Sequence, residues 1–219
     1  MKRVPERPPS RHLDFHVLRE ALGLPGCPLC RLAYRAARRW LESLFYEQVN
    51  DVPTRAMLRA SGGFCARHSR MAAHLGNPLG WSIIGADLVS AAAHELRAKP
   101  SAMCPVCEVE REAAAGSVRT LLQHIGEEDF AAAYRAGEGL CLPHLRQALA
   151  GRRTPERDIL EGIERERMQE LREQLRGFVA HSDYLRGRDG YATEESDAWL
   201  RAARKLGGTY FEVDEPDGA

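Results

Sequence analysis

Apolar positions along this chain recur at intervals of three and four, and no stretch alternates apolar with polar residues over more than a few positions. That pattern predicts an all-α protein. A short helical period over 12–23 stops at Gly23 and Pro25. A long helix follows from about Pro28 to Gln48, with Leu32, Ala36, Trp40, Leu44 and Phe45 on one face and Arg31, Arg35, Arg38 and Arg39 elsewhere. Asn50-Asp51-Val52-Pro53 breaks it, and a shorter helix over 53–60 ends at Ser61-Gly62-Gly63, a capping signal that allows positive φ. The next helix starts at Cys65 and ends at Gly76-Asn77-Pro78. Residues 79–98 are mostly apolar, including Trp81, Ile83, Ile84, Leu88 and Val89, and are expected at the centre of the core.

After Lys99-Pro100-Ser101 the plan repeats, with helices expected over 104–126, 127–136 and 141–150. Thr154-Pro155-Glu156 then opens a long charged helix reaching Phe178 or beyond. Its stripe of Leu160, Ile163, Met168, Leu171, Leu175 and Phe178 runs against a surface of paired Glu and Arg. A last helix over 193–206 carries Trp199 and Leu200. This order divides the chain into a basic tail (1–12, expected disordered), a first module (13–98), a second module (99–151), C-terminal helices packing on both (152–208), and an acidic tail (209–219). Modules and C-terminal helices are expected to pack as one compact unit.

Cysteine placement changes the picture from a generic helical protein to a metal protein. All six cysteines fall in four short motifs: Cys27-Pro28-Leu29-Cys30, Cys65-Ala66-Arg67-His68, Cys104-Pro105-Val106-Cys107 and Cys141-Leu142-Pro143-His144. Cys104 follows Cys27 by 77 residues and Cys141 follows Cys65 by 76, and Leu58–Cys65 lines up with Tyr134–Cys141. Two residues between cysteines make a tight turn that sets both sulfurs on one ion, and the proline fits the first helical position. A Cys and a His three apart on a helix are neighbours on one face. Four such ligands suit tetrahedral Zn2+, two ions per chain, and a closed set leaves no position for a catalytic water. Pairing within each half (Cys27, Cys30, Cys65 and His68; Cys104, Cys107, Cys141 and His144) is the simpler expectation, although Cys27 and Cys30 with Cys141 and His144 meet the same geometry. An iron–sulfur cluster and thiol redox chemistry are the competing readings.

Charge and composition narrow the function classes. Lys and Arg balance Asp and Glu at 31 each, so two loaded sites leave the chain at about −2, unlike a dedicated nucleic-acid binder. No apolar run is long enough to span a bilayer, and the N-terminus lacks a secretory h-region, so reduced thiols in the cytoplasm are expected. Of the other histidines, His74 and His94 lie on helices beside apolar residues and read as surface or satisfied core positions, while His12, His16 and His124 lack partners at ligand spacing. No P-loop, GxGxxG, HExxH or GxSxG is present.

With its duplicated CPxC and CxxH motifs the chain resembles a family of bacterial proteins known as a domain of unknown function. That family carries the same two modules and a helical F-x-x-K-x-D-Y-R-like stretch, here Phe178-Val179-Ala180-His181-Ser182-Asp183-Tyr184-Leu185. His181 and Leu185 replace the Lys and Arg of the pattern. The resemblance covers most of 24–208 and implies a helical fold without assigning an activity. The reading that follows is a non-enzymatic, zinc-stabilised scaffold whose partner is a protein. A redox sensor is the alternative, as is nucleic-acid binding through Arg31, Arg35, Arg38, Arg39 and the basic N-terminus.

Overall fold

The computed structural model of the chain describes residues 13–181 and 193–209. Expectations for the basic segment 1–12, for Asp183-Tyr184 and for the acidic end over 210–219 lie outside those residues. Among the described residues the regular elements are helices, with no strand: α1 (Leu13–Leu22), α2 (Pro28–Ser43), α3 (Val52–Ala60), α4 (Ala66–His74), α5 (Pro78–His94), α6 (Pro105–His124), α7 (Glu128–Ala136), α8 (Leu142–Leu149), α9 (Pro155–His181), α10 (Thr193–Ser196) and α11 (Ala198–Gly207). They form two compact units, one from residues 13–29 and 117–208, the other from 30–116.

The core of the 30–116 unit gathers Tyr34, Ala37, Leu41, Leu44 and Phe45 with Leu58 of α3, Met71 and Ala72 of α4, and Ile84 of α5. The buried face of α2 is therefore not the expected one: Leu32, Ala36 and Trp40 are only partly buried, and Arg31 is buried. Tyr34, Ala37 and Leu41 recur at the same helical interval, so periodicity alone permits either stripe. The choice falls where α2 widens into a π-turn at Leu44–Gln48, a distortion that turns the adjacent Leu44 and Phe45 both inward. Asn77 locks this turn to the next helix. Its amide donates to the Phe45 carbonyl at 3.3 Å while its Oδ1 accepts the Gly80 N–H at 2.8 Å, capping α5.

The expected central position of 79–98 is not observed. Only Gly80 and Ile84 of α5 are buried, and Leu79 and Val89 are 72% and 70% exposed. The helix packs against α3, α4 and the π-turn from one side. Being apolar all round, its sequence marks no inward face, and total hydrophobicity was a poor guide to depth. Trp81 is what anchors it, its ring 6.0 Å from Phe45 and 5.6 Å from Phe64.

In the other unit α1 packs on α7, burying Phe15, Leu18, Ala21 and Leu22. The Phe15 ring lies edge-on to His124 at 4.7 Å and 5.6 Å from Phe130. His124 is thus a core residue, held by Glu127 at 2.6 Å. Helices α8, α9 and α11 complete the unit. Leu160 and Ile163 of α9 are buried, whereas Met168, Leu171, Leu175 and Phe178 are only partly covered. The last helix breaks at Asp197 into α10 and α11, leaving Trp199 and Leu200 exposed and Lys205 buried.

Candidate metal centres

Each of the four motifs sits at a helix start. Cys27 and Cys104 directly precede the prolines that open α2 and α6. Cys65 and Cys141 are the N-cap residues of α4 and α8, in nearly the same extended conformation (φ −67°, ψ 166° and φ −67°, ψ 158°). The chain enters both knuckles through a glycine in the left-handed region, Gly63 (φ 90°) and Gly139 (φ 71°), two residues before the cysteine. The turn aims Phe64 and Leu140 toward the interior and leaves the cysteine sulfur at the helix end.

The eight residues form two clusters, and within each the ligand atoms lie within 4.8 Å of one another. One is Cys27, Cys30, Cys141 and His144; the other is Cys65, His68, Cys104 and Cys107. Pairing within each half is thereby overturned: each CPxC pair of one repeat meets the CxxH pair of the other. Sequence separation misled here, because ligand count and local spacing are the same either way and only the packing of the helices decides.

The distances fit one tetrahedral ion. Zn–S near ~2.3 Å and Zn–N near ~2.0 Å at tetrahedral angles put sulfurs about 3.8 Å apart and sulfur from nitrogen about 3.5 Å. In the second cluster Cys65 Sγ lies 3.7 Å from Cys107 Sγ. His68 Nδ1 stands 3.3, 3.5 and 3.4 Å from the sulfurs of Cys65, Cys104 and Cys107. In the first, His144 Nδ1 is 3.5 Å from Cys27 Sγ and 3.2 Å from Cys141 Sγ. Both histidines thus present Nδ1 to the sulfurs.

Without the ion these groups perturb one another strongly. Burial disfavours charge on His68, but Cys104, Glu110 and Cys65 outweigh it and raise its pKa to about 9. Burial likewise opposes charge on His144, and Cys141 and Cys27 raise it to about 10. Burial works against ionising Cys104, yet His68 and backbone N–H groups pull the thiol down to about 6. Cys107 goes the other way: burial, then the sulfurs of Cys65 and Cys104, push it up to about 12. A cation replaces these protons in holding negative sulfurs together.

The second cluster has an outer partner that the sequence pattern did not single out. Nε2 of His68 lies 3.2 Å from Glu110 Oε2, at an angle short of a hydrogen bond, and Arg67 holds the same carboxylate at 2.8 Å. A carboxylate behind a ligating histidine fixes the ring and raises its basicity. The signal was present, since Glu110 is one helical turn after Cys107 on the same face. Its counterpart after Cys30 is Ala33, so the two centres differ behind the ligands.

A second polar constellation supports the first cluster's unit. Glu164 is 1% exposed. Its Oε1 accepts from the Tyr134 hydroxyl, from Leu140 N–H at 3.0 Å and from Arg167 at 3.0 Å, and its Oε2 meets Lys205. Arg167 also donates to the carbonyls of Tyr134 and Gly137 at 3.0 and 2.9 Å. Burial and the adjacent Glu164 charge push the Tyr134 phenol well above its ordinary value, so it stays a donor. These bonds fix the backbone one residue before Cys141.

Together the clusters make this a helical protein with two Cys3His groups able to hold metal ions. No helix among the described residues is long and apolar enough to cross a membrane. Comparison with protein-family models, curated proteins and solved structures finds no match to this chain.

Proposed function

We propose that the chain is a zinc-stabilised helical scaffold, without catalytic activity of its own, that docks a protein partner. The observation that carries the zinc is the ligand geometry: four donors at single-ion separations in each cluster, three sulfurs and one Nδ1. An iron–sulfur cluster would hold its cysteines on separate irons and so further apart, which favours a mononuclear ion. A protein partner is favoured by the apolar residues exposed on and beside α5 (Leu79, Val89, Leu96) and on α3 (Val52, Met57). Nucleic acid is less favoured, because the arginines of α2 do not present one charged face: Arg31 is buried and Arg38 is paired with Glu42 at 2.9 Å.

The test is elemental analysis and a visible spectrum of protein purified without added metal, followed by crosslinking in extract. Two zinc ions per colourless chain, and crosslinks to one reproducible protein from α3 and α5, are expected. Iron with charge-transfer bands would overturn the zinc reading. Metal-loaded protein giving no crosslinked protein, or nucleic acid instead, would overturn the partner reading.

A further inference from the structure

We propose that the cavity beside the first cluster is a binding site for a small oxyanion, a carboxylate or phosphate group. This is independent of which partner the scaffold docks. The cavity, about 200 Å³, lies within the unit built from residues 13–29 and 117–208, and Cys27 and Cys141 form part of its wall. Five cationic side chains converge on it, Arg135, Arg167, Arg201, Arg204 and Lys205, against two carboxylates, Glu138 and Glu170. Nearby Glu164 and Asp197, with the charge of about −1 on a zinc-loaded cluster behind Cys27 and Cys141, offset that charge overall, so what the cavity offers an anion is local donors rather than net charge. Glu164 serves both Lys205 and Arg167, one negative charge between two positive ones. Arg201 is matched by Asp197 at 2.9 Å and Gln174 at 2.8 Å. Among the described residues Arg204 meets only Glu138, at 4.0 Å, and its Nε is buried without a hydrogen-bond partner. Arg135, exposed at the end of α7, forms no ion pair among the described residues.

Two guanidinium groups with unused donors, facing one small cavity, match the flat or tetrahedral array of acceptors that an oxyanion offers. The Nε of Arg204 is shut off from the cavity by its burial, so the terminal amino groups of its part-exposed guanidinium are the donors a bound oxyanion would meet. Glu170 sits exposed at the rim with the wrong sign for an anion, and it supplies a control that a merely structural reading lacks.

Zinc-loaded full-length protein titrated by calorimetry with inorganic phosphate and, separately, with succinate tests this. Saturable binding of at least one probe in the millimolar range or tighter is expected, and the preferred probe identifies the group. Arg204→Gln and Arg135→Gln should each weaken binding about tenfold or more, Glu170→Gln should tighten it severalfold, and Arg39→Gln, exposed on α2, should leave it unchanged. Arg135 is exposed, so its variant keeps the test valid even where Arg204→Gln fails to fold. Absence of binding to both probes at about 10 mM, or affinities indifferent to Arg135 and Glu170, would overturn the assignment.

Discussion

Removing ligands two at a time reads the pairing directly. In the observed arrangement Cys27 and His144 belong to one cluster, while Cys27 and His68 belong to different ones. Cys27→Ser with His144→Ala therefore cripples one centre and spares the other. Cys27→Ser with His68→Ala leaves both centres, each short of one ligand. Pairing within the repeats reverses the two outcomes. Structural zinc binds its peptides with roughly 10–16 kcal/mol, so one ligand of four accounts for about 3 kcal/mol, or about a hundredfold in affinity. Two lost ligands leave only Cys30 and Cys141 in the first cluster, too few to compete with a chelator. Metal retained after dialysis against a chelator of intermediate affinity should be one ion per chain for Cys27→Ser/His144→Ala. It should be about none for Cys27→Ser/His68→Ala. Since whole domains are stable by about 5–15 kcal/mol, the first variant should also show partial unfolding, with exchange of amide hydrogens concentrated in 117–208. One tight ion in Cys27→Ser/His68→Ala and none in the other variant would refute the crossed arrangement.

Glu110→Gln removes the charge behind His68 and should weaken the second centre about 10–100-fold while leaving the first unchanged; chelator competition measures both, and equal effects at the two centres would contradict the assigned contact. Gly139→Ala should cost about 3–5 kcal/mol, because the added methyl collides with the buried Glu164 carboxylate and the Arg167 guanidinium and φ is +71°. Gly63→Ala meets only the flexible Leu88 side chain at 3.0 Å and should cost about 1–2 kcal/mol; denaturant unfolding that ranks the two in the opposite order would refute the argument. Loading the second centre must displace the proton of His68 (pKa about 9) and that of Cys107 (about 12). Both groups sit above neutral pH, so their protons are present at pH 7–8 and metal affinity should rise with pH, about a hundredfold per unit. Calorimetry in buffers of different protonation enthalpy counts those protons, and fewer than one released per ion would refute it.

The helical period located nearly every helix, since capping residues such as Asp51, Asn77 and the prolines at 28, 53, 78 and 155 mark starts that no tertiary contact has to decide. The residues that gather into the two clusters were legible for the same reason: CPxC and CxxH are local chemistry. What could not be read was depth. Glu164 looked like one more member of a solvated Glu/Arg surface, yet it is buried, because Lys205 and Tyr134 reach it from 41 and 30 residues away. Residues 79–98 looked central and are largely exposed, because apolar content says nothing about what packs on the far side. Pairing of the ligand sets failed likewise, being a question of which helix starts meet.

The crossed clusters impose an order on assembly. Along the chain the ligand pairs are nested: the inner set closes between Cys65 and Cys107, 42 residues apart, and the outer set between Cys27 and His144, 117 apart. The longer closure costs about 1 kcal/mol more in chain entropy. Once the inner ion is held, only the 38 residues from Cys27 to Cys65 and the 34 from Cys107 to Cys141 remain to be spanned. During synthesis the inner set is complete as soon as Cys107 is free, whereas Cys27 and Cys30 wait for His144. Neither repeat alone contains a full set, so a gene fragment ending at residue 98 encodes four ligands and no site.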